Sequence, residues 1–204
     1  KEKVVFSGYP LRDEIFKPEI NFKNLEKFPV KMHGKPLLFI TGGGNGSYLL
    51  NEAIKKEMSE LKTKFVIIHQ VGKAYIEEYK KFNDENYFAL DFVGPEMIDL
   101  MKKAEVIISR SGAGTVSELL ALNKRSIFVP LKIAQKNEQY FNALEANNQL
   151  GSVIIVEDEF KNFKLSHIIS DFENDKSKSM QCQKIRSKVQ TKNLILDEIS
   201  RAFV

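Results

Sequence analysis

A chain of 204 residues, 43% hydrophobic and 28% charged with a net charge of +4, has the size and balance of one substantial water-soluble domain. No window reaches the ~18–20 consecutive apolar residues of a membrane span and no signal-peptide pattern opens the chain, so the expected compartment is the cytoplasm. With Cys182 as the only cysteine no intrachain disulfide is expected, and without zinc-finger spacing or an aromatic–glycine RNA-binding pattern neither a metal site nor a nucleic-acid partner is expected.

The chain begins Lys1-Glu2-Lys3-Val4 with no initiator methionine, which reads as an excised piece of a longer protein or a processed start. A first apolar, β-branched run at residues 4–6 is followed at 11–35 by what reads as linker and irregular structure. From there, strand-like runs alternate with amphipathic stretches: strands at 36–41, 65–70, 87–92, 105–109, 126–129 and 153–156, helices at 47–61, 73–82, 95–103, 115–122 and 137–149. The strand runs show little polar alternation, as expected of strands buried on both faces of a parallel sheet. In the helix from Ser47, the residues Leu50, Ile54, Met58 and Leu61 share one face. Pro95 suits a helix start and Gly151 a helix end that needs positive φ. A further helix is expected near 165–172, and a long basic one from about 177 to 203. Strand–helix–strand repeated in this way predicts an α/β fold with a Rossmann-like doubly wound parallel sheet.

Ligands of such sheets bind beyond the carboxyl ends of the strands, and three unusual segments stand there. Thr41-Gly42-Gly43-Gly44-Asn45-Gly46-Ser47 follows a strand and opens a helix; it reads either as a phosphate or sugar contact or as a tight turn. It lacks the P-loop lysine and the acidic residue of a dinucleotide fingerprint. Ser109-Arg110-Ser111-Gly112-Ala113-Gly114-Thr115-Val116-Ser117-Glu118 has the same placement. Its small residues let backbone amides face a diphosphate, while Glu118 is suited to the paired hydroxyls of a ribose or, alternatively, to the helix dipole. Gln135-Lys136-Asn137-Glu138-Gln139-Tyr140-Phe141-Asn142-Ala143 offers amide side chains, Gln139 and Asn142, that suit sugar hydroxyls or an ordinary exposed helix face. Of the three histidines, His69 ends a strand on the same rim, while His33 and His167 have no partners suggesting chemistry.

Taken in order with Ser7-Gly8-Tyr9-Pro10-Leu11-Arg12, His69-Gln70-Val71-Gly72-Lys73, Phe92-Val93 and Phe128-Val129-Pro130, these segments resemble the C-terminal half of the MurG family over roughly residues 3–156. That family transfers N-acetylglucosamine from UDP-N-acetylglucosamine to a lipid-linked precursor of peptidoglycan. The resemblance implies one domain of a two-domain GT-B glycosyltransferase. Arg12 would approach the donor diphosphate, and Gly42, Gly43, Gly44 and Asn45 would line the cleft near phosphates and sugar. Val93 would hold the uracil edge through its backbone. The Arg110, Ser111 and Gly112 turn would lead into Ala113, Gly114, Thr115, Val116, Ser117 and Glu118, which would cradle diphosphate and ribose. Gln139 and Asn142 would read the sugar hydroxyls. Three positions depart from the family: Gly44 in place of a common serine, Glu138 in place of a second glutamine, and Gly114, which gives an Ala-Gly-Thr sequence similar to that of diacylglycerol glycosyltransferases.

The expected organisation is an interdomain segment and linker at 1–35, the Rossmann-like UDP-sugar domain at 36–172, and a C-terminal helix at 173–204 that packs on its own domain or crosses to another. By the resemblance the parent reaction is inverting, needs no cofactor or bound metal, and draws its catalytic residues from an acceptor domain preceding this one. The partners implied are UDP-N-acetylglucosamine and, through the other domain, a lipid-linked acceptor, with peripheral association at the cytoplasmic face of the inner membrane. Competing readings are a stand-alone donor-binding subunit of a split transferase, a related diacylglycerol glycosyltransferase, and, less well matched, a UDP-sugar epimerase or hydrolase domain.

Overall fold

The structure, a computed structural model, describes residues 9–175. The expected strand at 4–6, the basic helix at 177–203 and Cys182 lie outside the described residues.

Six short strands form one parallel sheet: β1 (Leu37–Thr41), β2 (Val66–Gln70), β3 (Tyr87–Leu90), β4 (Val106–Ser109), β5 (Ile127–Phe128) and β6 (Val153–Ile154), in the order β3-β2-β1-β4-β5-β6. The apolar runs take this form because both faces are covered. Along β1, Leu38 and Ile40 enter one core while Leu37 and Phe39 enter the other. The last strands are shorter than the apolar runs that encode them.

Two short stretches precede or punctuate the sheet, α1 (Phe22–Leu25) and, after β2, α3 (Ile76–Tyr79) continued by a 3-10 turn at Lys80–Phe82. The longer α2 (Tyr48–Lys64) is capped by Ser47, whose Oγ accepts from the Leu50 N–H at 3.4 Å. Its buried face is the expected Leu50, Ile54, Met58 and Leu61, each contributing roughly 1.5–3 kcal/mol by leaving water. On the opposite face of the sheet lie α4 (Met97–Lys103), α5 (Ala113–Ala121) and α6 (Glu138–Leu150). Gly151 ends α6 at φ +68°, the left-handed position expected of it. After α7 (Glu157–Phe160), α8 (Leu165–Asn174) returns to α2, where both oxygens of Glu57 accept from the Leu165 and Ser166 amides at 2.6 and 2.9 Å.

Residues 11–35, expected to be linker and irregular structure, carry a 3-10 turn at Asp13–Phe16 and the single turn α1, and they are fastened to the domain. Ile15 and Phe28 are buried in the core beside α4. Asp99 accepts from the Asn21 amide at 2.9 Å and from Asn24 Nδ2 at 2.7 Å, while Lys102 Nζ donates to the carbonyls of Glu14 and Lys17.

This topology decides where a ligand fits. From β1 the chain winds outward through β2 to β3, then crosses back to β4 on the other side of β1. The loops after β1 and β4 therefore leave toward opposite faces and open a crevice between them. Register keeps the rim level, with Thr41 opposite both Gln70 and Ser109.

Candidate functional site

A cleft of about 660 Å³ occupies that switch point. One wall is the β1–α2 loop. Here Gly46 has φ +76°, and a Cβ on it would lie 1.9 Å from the Val71 carbonyl oxygen, so only glycine lets the two loops touch. The loop is pinned by a polar ring. Thr41 Oγ1 donates to Gln70 Oε1 (2.8 Å), Gln70 Nε2 donates to the Gly43 carbonyl (3.2 Å), and the Gly43 amide donates back to Thr41 Oγ1 (3.1 Å). Gly43 and Gly44 line the cleft, and a Cβ on either would meet nothing within 4 Å.

The facing wall is the start of α5. Its N-cap is Gly112, which supplies no side-chain cap, so the helix presents first-turn N–H groups and the positive end of its dipole beside Gly114 and Thr115, both of which line the cleft. One turn further along, Glu118 lies in the cleft lining with only 8% of its side chain exposed. Arg12 covers it: Nε is 2.7 Å from Oε1 and Nη2 donates to Oε2 at 3.4 Å, while Nη1 reaches the Gly94 carbonyl at 3.5 Å. Desolvation raises the Glu118 pKa, outweighing the opposing pull of Arg12. Val93 and Gly94 also line the cleft.

Gly43, Gly44, Gly112, Gly114, Thr115, Glu118, Val93 and Arg12 are thus brought together around one cavity. Other candidate residues stand elsewhere. Arg110 is buried behind the loop, where Nε donates to Ser47 Oγ (3.2 Å), Nη1 to the Val129 carbonyl (2.9 Å), and Nη2 pairs with Glu157 (2.6 Å). Ser111, fully buried, donates to the Gln139 carbonyl at 2.7 Å, and Asn142 Nδ2 donates to the Ser111 carbonyl at 3.1 Å. Gln139 Oε1 accepts from the Leu131 amide at 3.0 Å. These four residues hold the β4–α5 turn from beneath. Val116 packs in the core. Ala113 and Asn45 are exposed and Ser117 is half-buried, and Gly42 is pressed against the Ser47 backbone, all outside the cleft lining.

His69 corrects the expectation of a rim residue. Its side chain is fully buried, with Nδ1 3.0 Å from the Tyr87 hydroxyl and its ring edge-on to Tyr79 and Tyr87. Desolvation pushes its pKa down to about 3. The strand pleat, which alternates side chains between faces, sends Gln70 to the cleft and turns His69 into the core.

Thr41, Gln70 and Tyr9 also line the cleft without having been assigned a role from sequence. Thr41 and Gln70 did carry a signal: each is the polar residue that ends a strand opened by an apolar run. Among the described residues no group of three or more His, Cys, Asp or Glu could hold a metal ion, and no helix is long and apolar enough to cross a membrane.

A parallel sheet in this order, with glycine-bearing loops on both sides of its switch point, defines a Rossmann-like domain with a crevice beyond its strand ends. Comparison with known proteins is specific. Residues 37–199 match the Glycosyltransferase family 28 C-terminal domain. The chain is 32% identical over 197 residues to the UDP-N-acetylglucosamine–N-acetylmuramyl-(pentapeptide) pyrophosphoryl-undecaprenol N-acetylglucosamine transferase of Clostridium perfringens (strain SM101 / Type A), covering 96% of this chain and 54% of that protein. It is 35% identical over 177 residues to the transferase of the same name from Clostridium novyi (strain NT), covering 86% and 49%. The crystal structure of Acinetobacter baumannii MurG superposes with a TM-score of 0.59 at 25% identity, over 78% of this chain and 45% of that one. The chain belongs to glycosyltransferase family 28, as its C-terminal domain, and its fold is the Rossmann-like unit of GT-B transferases. It spans about half the length of the curated relatives it matches.

Proposed function

We propose that this domain binds the donor, UDP-N-acetylglucosamine, for an inverting transferase that glycosylates a lipid-linked acceptor. The observation that carries the reading is the convergence on one cleft of the glycine loop, the uncapped start of α5 and the carboxylate of Glu118. The diphosphate lies against the first turn of α5, where N–H groups and the helix dipole favour an anion. Glu118 accepts from the ribose hydroxyls, and Val93 and Gly94 border the base. As an acceptor hydroxyl attacks the anomeric carbon, the bond to the diphosphate breaks and negative charge grows on UDP. The same amides stabilise that charge, and they do so without reorganising because their turn is already fixed. The names of the relatives support the sugar and the acceptor. The second domain of the whole protein holds the acceptor and the catalytic base, and its lipid-linked substrate brings the enzyme to the cytoplasmic face of the membrane.

A thermal-shift panel of UDP, UDP-N-acetylglucosamine, UDP-galactose, UDP-glucose, GDP and ADP tests the reading. A ligand at a hundred times its Kd stabilises by about 2.7 kcal/mol, which raises the melting temperature by roughly 5–10 °C in a chain of this size. Uridine nucleotides produce that shift, UDP-N-acetylglucosamine most strongly. A preference for GDP or ADP refutes the assignment.

A further inference from the structure

The segment that leads into the domain lies across the nucleotide site. The Tyr9 ring sits on the first turn of α5, so close that a Cβ on Gly114 would be 3.0 Å from its hydroxyl. Three residues on, Arg12 takes both oxygens of Glu118 in a forked pair and ties itself to Gly94 across the cleft. The two contacts are independent, one steric and one ionic, and both fall on helix α5, where the proposed function puts diphosphate and ribose.

We infer that residues 9–12 form a strap over the nucleotide site, and that Arg12 competes with the ribose hydroxyls for Glu118. This rests on the donor-site reading above and adds to it. A carboxylate with 8% exposure, both of whose oxygens face a guanidinium, has no free approach for a ribose diol. The nucleotide must part the pair before Glu118 can accept from the sugar. Arg12 itself is 43% exposed, so it has room to swing, and it lines the same cleft as Gly112 and Thr115 at the start of α5. Once released, its cation meets the diphosphate there, and the energy lost at Glu118 is recovered at the phosphates. A ligand with a ribose but no phosphate pays for parting the pair and recovers nothing. Donor recognition is then selective for diphosphates by exchange of one arginine between two partners, and the strap moves when the donor enters.

Two ligands separate this from simpler roles of Arg12. Uridine and UDP are titrated against the full chain and Arg12→Ala by ligand-observed NMR and calorimetry, with 2′,3′-dideoxyuridine as control. The strap predicts that Arg12→Ala binds uridine roughly two- to fivefold more tightly, as removal of a half-exposed pair implies. The same variant binds UDP no better than the parent chain, and dideoxyuridine shows no gain. If Arg12 only contacts the diphosphate, uridine affinity is unchanged; if it only positions Glu118, uridine weakens. Either result overturns the proposal. Arg12→Met, which keeps the apolar stem over the cleft, must reproduce the gain, so a folding defect in one variant does not decide the matter. Failure of the donor-site reading looks different: the unsubstituted chain then shows no preference for uridine nucleotides over GDP and ADP.

Discussion

Replacing Glu118 with glutamine keeps the side chain's shape and removes its charge, which makes it the sharpest probe of the ribose assignment. Hydrogen bonds to a charged group contribute about 1.5–3 kcal/mol each, against about 0.5–1.5 for neutral ones. A neutral amide still offers one acceptor, so the variant forfeits part of this difference rather than all of it. Against that, the parent chain must first part Glu118 from Arg12, a half-exposed pair of about 0.2–1 kcal/mol. The balance leaves a loss of about 1–2 kcal/mol, or a roughly five- to thirtyfold weaker UDP complex. Titration calorimetry at neutral pH, with UDP and 2′,3′-dideoxy-UDP against both proteins, closes a cycle that isolates the contact. The substitution weakens UDP, whereas the dideoxy analogue, with no ribose hydroxyls to lose, is not weakened and gains up to about fivefold because no pair has to be parted. An equal loss for both ligands, or none for either, refutes the ribose assignment. Stability moves the other way. Burial raises the Glu118 pKa, so its contribution to folding is present below the ordinary value of 4.5 and is lost as pH rises through the raised one.

Two further predictions concern the frame around the cleft. His69, neutral and buried with a pKa pushed down from 6.5 to about 3, stabilises the fold above pH 6.5, and that stability is lost as pH falls toward 3, at about 1.4 kcal/mol per unit. Urea denaturation of the parent chain and His69→Phe at pH 7 and pH 4.5 should show the parent losing roughly 2–3 kcal/mol more than the variant; parallel losses would mean that His69 is not buried neutral. Gly46→Ala, whose Cβ falls 1.9 Å from the Val71 oxygen at positive φ, lowers stability by more than ~2 kcal/mol. Gly44→Ala, with nothing within 4 Å, stays within ~0.5 kcal/mol, and chemical denaturation of the two variants compares them directly.

The sheet was legible because its signal is local. Runs such as residues 37–40 and 66–68 are apolar and fully buried within their strands, and the stripe of α2 is written at helical spacing. The short ends were not: β5 pairs with β4 and with β6 over two residues each, although the apolar runs at 126–129 and 153–156 are longer. The docking of residues 11–35 was also invisible. It depends on Asp99 meeting Asn21 and Asn24 across 78 and 75 residues of chain, and nothing near Asn21 announces that partner.

The site divides along the same line, with a chemical consequence. Of the residues near the strand tips, Gly43, Gly44, Gly112, Gly114, Thr115 and Glu118 line the crevice, where topology alone directs them. Whether a polar side chain points into the crevice or beneath it depends on the phase of one turn, which spacing does not reveal. Arg110, Ser111, Gln139 and Asn142 all have the chemistry of ligand contacts, and all are engaged under the loop. Arg110 alone joins the start of α2, the end of β5 and α7 through Ser47, Val129 and Glu157. A turn held at this many points cannot relax toward a ligand, so its amides are set before the nucleotide arrives. Preorganisation of that kind favours a charge that appears only during reaction over one already present. Groups that look like sugar readers in the sequence therefore act as braces that hold the first turn of α5, whereas Arg12 meets Glu118 from a half-exposed position.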